Sequence, residues 1–139
     1  MNVQTFTPSA LPKPIGPYSH IAKSGPFISI SGTPGVNGET GQLAGPDAYS
    51  QARQILDNFR VMLGSVGSRI EDVMHVHVFL KQVGDFDSMN KAYSEAFADH
   101  SPARTVICVA DLPKKGALLT MNLTAICSDG LLPLPSAAA

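Results

Sequence analysis

Residues 47–80 read DAYSQARQILDNFRVMLGSVGSRIEDVMHVHVFL, and this stretch decides the fold. Asp47 is a helix-capping residue, because its carboxylate can accept from the free N–H groups of a first turn. Behind it, Ala48, Ala52, Ile55, Phe59, Met62 and Val66 recur every three or four residues, which is one apolar helical face. Gly67 closes the helix. From Val73 to Leu80 the period changes to two. Met74, Val76, Val78 and Leu80 fall on one side, Val73, His75, His77 and Phe79 on the other, so the segment reads as a central strand. A helix with one apolar stripe followed by such a strand predicts helices packed on a sheet.

Working outward, residues 1–13 read as a short strand with a proline-rich exit, where Pro12, Pro14 and Pro17 forbid helix. Residues 18–22 and 27–30 read as a hairpin turned by Ser24-Gly25-Pro26, with Ser31-Gly32 ending the second strand. Residues 33–46 are rich in glycine and proline and read as an exposed loop. On the other side, Asp85 opens a second helix striped by Phe86, Met89, Tyr93 and Phe97, and Pro102 stops it. Two more strands, 105–110 and 118–127, flank a turn at 113–116. The expected fold is α+β: a mixed six-stranded sheet with two helices on one face. Residues 1–128 are expected to form a single domain and 129–139, ending LLPLPSAAA, a disordered tail. Two helices cover one sheet face only, so the other calls for a second copy of the chain.

Composition limits the function. The chain has 139 residues, 44% hydrophobic and 15% charged, with Lys plus Arg 10 and Asp plus Glu 11 for a net charge of −1. That balance argues against nucleic-acid binding by counterion release, and no apolar run approaches a membrane span. The N-terminus carries no basic and apolar leader, and Cys108 and Cys127 form no CxxC, so two buried thiols in a reducing cytoplasm are expected. His75 and His77 share a strand face but have no third metal ligand at a matching spacing, so no metal site is expected. No phosphate-cradle or hydrolase signature occurs.

The residues with chemical promise are few. In Ser101-Pro-Ala-Arg104, the arginine starts an apolar strand directly after a helix-to-strand turn. There a guanidinium can hold a carboxylate by two parallel hydrogen bonds, although a surface arginine with no task has the same spacing. In Ile15-Gly-Pro-Tyr18-Ser-His20, Gly16 and Pro17 fix a bend, and Tyr18 can cap a pocket. In Ile30-Ser31-Gly32-Thr33, a glycine at a strand end admits a ligand close to the backbone.

The blocks IGPYSHI, ISISGTPG, the helix QAR…LDN and SPARTVICVADLP, in this order and spacing, resemble the RidA family, also called YjgF/YER057c/UK114, from about Ile15 to Ile126. The resemblance implies a chorismate-mutase-like fold and a homotrimer with a central barrel-like core and clefts between subunits. It implies hydrolysis of enamine/imine carboxylic acids to a keto acid and ammonia, with no metal or organic cofactor, no nucleic acid and no membrane as partner. Residue by residue, it implies that Arg104 grips the substrate carboxylate and that Tyr18, Ser31, Gly32 and Asn90 line the site. The backbone of Val106 falls where the imine nitrogen or a water is held. One departure stands out. The family's last-strand glutamate has no counterpart in residues 118–126, where Asn122, or Thr120 or Thr124 in a shifted register, takes the position. None of these side chains can take a proton from water as a carboxylate can. That leaves a second reading, a non-catalytic binder of small keto acids. A third, endoribonuclease, lacks a basic or stacking surface for RNA.

Overall fold

The computed structural model describes residues 2–127, so the tail 129–139 lies outside the described residues. The strands are β1 (Gln4–Phe6), β2 (Ile21–Ser24), β3 (Phe27–Pro34), β4 (Val73–Leu80), β5 (Ala103–Cys108) and β6 (Leu119–Ile126), with helices α1 (Ala48–Ser65) and α2 (Phe86–Phe97). They form one six-stranded sheet in the order β1-β2-β3-β6-β4-β5. Neighbours are antiparallel except β4 and β5, which run parallel and are joined by α2. Parallel neighbours need such a crossover, whereas antiparallel ones need only a turn.

Both helices cover the same sheet face, as the pattern predicts. Asp47 accepts from the Ser50 N–H at 2.9 Å, a bond that holds its carboxyl below the usual range, and Gly67 takes φ +77° just past the helix end. The predicted stripe of α1 is buried, and with Leu56 and Leu63 it packs on Ile28, Ile30, Val76, Val78, Met121 and Leu123. Truncating a fully buried ring such as Phe59 to alanine would cost about 3–5 kcal/mol, since it removes apolar contact and leaves a cavity. The opposite face is open and exposes Phe27, Met74 and Ile107. Strand register puts Ala22, Ser24, Ser29, Asn122, Thr124, Thr105, His75 and His77 there too. Among the described strand residues on that face none is Asp, Glu, Lys or Arg.

Several boundaries differ from the sequence reading, each for a physical reason. Ser31-Gly32 does not end β3. The register steps from Ile30↔Leu123 to Thr33↔Met121, so one extra residue bulges there and the strand continues to Pro34. Tyr18 lies outside β2, which begins at Ile21, because the pairing with β3 stops at Ile30 where the bulge begins. A second bulge between Val73 and His75 breaks the alternation of β4, burying Val73 and exposing Met74. Asp85 precedes α2 but makes no capping bond, and the helix ends at Phe97, where Ala98 adopts φ +52°, before Pro102 is reached. β5 starts at Ala103, earlier than expected. Cys108 is exposed, not buried, since β5 is an edge strand; Cys127 is buried. The 33–46 loop is not fully exposed either, for Val36 is buried and pairs with Leu43.

Candidate active site

Arg104 sits on the edge strand β5. It registers with Val76, so its side chain lies on the helix-covered face, against α2. Phe86, Asn90 and Tyr93 occur at positions i, i+4 and i+7 of α2 and therefore share one helical face. The Arg104 Nη1–H donates to Asn90 Oδ1 at 2.6 Å. The guanidinium carbon stands 4.7 Å from the Tyr93 ring centroid and 5.7 Å from that of Phe86. Aromatic faces attract a cation through their negative quadrupole, so the two rings and the amide together hold the charge in place. Among the described residues no carboxylate pairs with Arg104. Its charge is oriented but not neutralised. Burial pushes the Tyr93 phenol up to about 12, against the opposing pull of the Arg104 charge.

A cavity of about 700 Å³ lies beside the β3 bulge. Tyr18, Ser31, Gly32 and Thr120 all line it, joined by Lys13 and Lys114. The Ser31 hydroxyl donates to the Ser19 carbonyl at 2.6 Å, and the Tyr18 N–H donates to the Gly16 carbonyl at 2.9 Å, which ties the Gly-Pro-Tyr bend beside the bulge. The buried side chain of Gln51 pins the two loops flanking the cavity. Its amide nitrogen donates to the Gly45 carbonyl at 2.9 Å and the Gly116 carbonyl at 3.1 Å, while its oxygen accepts from the Leu118 N–H at 2.8 Å. Gly35 passes so near the Gln51 backbone that a Cβ there would overlap it. Among the described residues no Asp or Glu lines the cavity.

Arg104, Asn90 and Val106 are absent from the cavity lining. Arg104 and the bulge belong to β5 and β3, with β6 and β4 between them, so they are separated by three strand spacings, about 14 Å. The sequence-predicted residues therefore fall into two groups within one chain. Asn122 joins neither. It faces the open side of the sheet, where its Oδ1 accepts from the His77 Nδ1–H at 2.9 Å. His75 and His77 stack with ring centroids 4.4 Å apart, and His75 Nε2 bonds Thr105 Oγ1 at 3.0 Å. Of the candidates for the glutamate position, Thr120 borders the cavity.

Sequence reasoning missed Gln51, Phe86, Tyr93 and the two lysines as parts of a site. The aromatic pair bracketing Asn90 on one stripe was a usable signal. An amide beside the apolar stripe of α1 was a weaker one, because its three backbone partners are distant in sequence.

A mixed six-stranded sheet with both helices on one face defines an α+β protein, with an oriented arginine on its edge strand and a separate cavity beside a bulge. Residues 8–127 match the family model described as Endoribonuclease L-PSP. The chain belongs to this family, which is the RidA (YjgF/YER057c/UK114) family its sequence resembles. It is 42% identical over 109 residues to a RutC family protein of Pyrococcus horikoshii, covering 78% of this chain and 86% of that one. It is 36% identical over 114 residues to the 2-iminobutanoate/2-iminopropanoate deaminase of Escherichia coli K12, covering 80% and 88%. Its fold matches the crystal structure of the Escherichia coli YjgF gene product with a TM-score of 0.83 at 33% identity, covering 88% of this chain and 98% of that one.

Proposed function

We propose that this protein hydrolyses enamine/imine carboxylic acids to keto acids and ammonia at a cleft shared by neighbouring copies of the chain. The observation that carries the reading is Arg104: a guanidinium oriented by Asn90, Tyr93 and Phe86 and left without a carboxylate. Such a group awaits an acid, and a bidentate pair fixes the acid's orientation as well as its position. Family relatives named 2-iminobutanoate/2-iminopropanoate deaminase support the reaction type.

The chemistry asks little of the protein. Water adds to the electrophilic C=N carbon of R–C(=NH)–COO⁻, a C–O bond forms as the C=N π bond opens, and one water proton moves to nitrogen, giving R–C(OH)(NH₂)–COO⁻. The hydroxyl proton then passes to nitrogen as the C–N bond breaks, giving R–CO–COO⁻ and NH₃. Arg104 stabilises the carboxylate beside the reacting carbon, and Thr120 orients the water by hydrogen bonding, so the acceleration comes from positioning and charge placement. A small acid cannot touch both Arg104 and the cavity in one chain. The open sheet face, which exposes Phe27, Met74 and Ile107 and carries no Asp, Glu, Lys or Arg among its described strand residues, supports assembly of three copies that would bring one chain's arginine to another's cavity.

A second reading has its own observation: among the described residues no Asp or Glu lines the cavity, and His20, which does, has its Nε2 tied to the Pro12 carbonyl at 2.6 Å, which favours a binder of small keto acids. Ammonia release from 2-iminopropanoate generated in the assay separates the two. Release above the uncatalysed rate, lost in Arg104→Ala while the sedimentation coefficient is unchanged, is the expected result. Full activity in Arg104→Ala would remove the proposal.

A further inference from the structure

We infer that the cavity beside β3 selects imino acids carrying a second acidic group, which Lys13 and Lys114 hold at the end of the substrate away from Arg104. This rests on the reading of Arg104 as the anchor for the first carboxylate. At about 700 Å³ the cavity is in the range filled by drug-sized ligands, far beyond the needs of a three- or four-carbon acid. Its charge is one-sided. Lys13 and Lys114 both line it, no Asp or Glu does, and among the described residues neither lysine is in an ion pair. The two lysines come from different connections, β1–β2 and β5–β6, and border the same cavity, so their charges add to a positive potential that an anion would meet there. Thr120 borders the cavity as a neutral side chain and cancels none of that charge. Between the charged and polar groups, Ile15, Val36 and Met62 offer apolar surface suited to a short methylene chain. Together these features describe a 2-imino acid whose second carboxylate is joined to the first by a short methylene chain. If Arg104 takes the carboxylate at C1, the lysines remain for the one at the far end.

The test uses the full chain and stable products. Calorimetric titration with 2-oxoglutarate and 2-oxoadipate is compared with pyruvate and 2-oxobutanoate. The dicarboxylic acids are expected to bind at least about 10-fold more tightly, the scale of one charge-assisted contact. In the double variant Lys13→Met, Lys114→Met that ratio should fall towards one, and Lys13→Arg with Lys114→Arg should restore it. Circular dichroism checks that each variant is folded. Equal or tighter binding of pyruvate, or a ratio that survives the double variant, would overturn the inference and leave the role of Arg104 standing. Loss of selectivity alone is expected from the lysine variants, whereas Arg104→Ala should weaken both classes of acid. If Arg104→Ala binds all four acids as the parent does, the anchor reading fails instead. Binding of none of the four by the parent would overturn both.

Discussion

The Arg104 corner is stiffened by aromatic rings on a helix, whereas the cavity beside β3 is stiffened by glycines and a buried amide acting on loops. At the corner a single charge is held by groups from two adjoining elements, β5 and α2, and the geometry follows from helical spacing. At the cavity the walls come from segments far apart in sequence, and Gln51 fastens them through bonds spanning up to 67 residues. The difference separates two tasks. A corner that must present charge needs few contacts of high directionality. A cavity that must fit a shape needs backbone held close, which glycine allows and a clamping amide enforces.

The contrast can be broken most severely at the corner. Arg104→Ala should lower kcat/KM on the order of 10³-fold with little change in the unfolding midpoint, as steady-state kinetics and urea titration would record together. Arg104→Lys should recover only part of this, because an ammonium cannot form the planar fork. Gln51→Leu reverses the pattern. It strands one N–H and two carbonyls, so unfolding free energy should fall by about 3 kcal/mol in urea titration. A loss of less than about 1 kcal/mol would mean the loops hold themselves. Asn90→Ala should act more mildly, raising KM about 10-fold while kcat changes less, since the rings still hold the guanidinium. Thr120→Ala should lower kcat several-fold and leave KM nearly constant, a split that would place it at the reacting water and not at the anchor.

The smallest effect concerns Tyr93. Its phenol is raised to about 12, while an unfolded tyrosine titrates near 10. The folded state therefore keeps a proton that the unfolded state has lost, so stability should decline as pH rises from 10 towards 12 and be untouched by this group below 10. Tyr93→Phe should remove that decline and leave kcat/KM within about twofold, because the ring face persists. Tyr93→Leu, which removes the ring, should raise KM where Tyr93→Phe does not.

Much of the frame was legible along the chain. The stripe from Ala48 to Val66, the cap at Asp47, the closing Gly67 and the order of strands and helices all follow from local periodicity and turn chemistry. Arg104 could be singled out by its place at a strand start, and Asn90, Tyr18, Ser31 and Gly32 through the family resemblance. The faces were less legible. Alternation in β4 grouped Met74 with Val76, Val78 and Leu80 and put Val73 on the other side, whereas a one-residue bulge buries Val73 with Val76 and exposes Met74. The same kind of slip carried β3 past Ser31-Gly32. A bulge leaves no mark in a pattern of apolar residues, because it depends on which strand lies alongside.

By itself, then, the sequence determined the repeating elements, the low charge content and the family, and through the family resemblance it pointed to Arg104. These are properties of short windows, where each residue constrains its near neighbours through backbone geometry. Only the tertiary structure decided that Arg104 and the β3 bulge beside the cavity stand three strand spacings apart, that Asn122 turns to His77, and that Lys13 and Lys114 border the same cavity. Those outcomes depend on strand order and register, which join residues distant in the chain, and no local preference encodes them.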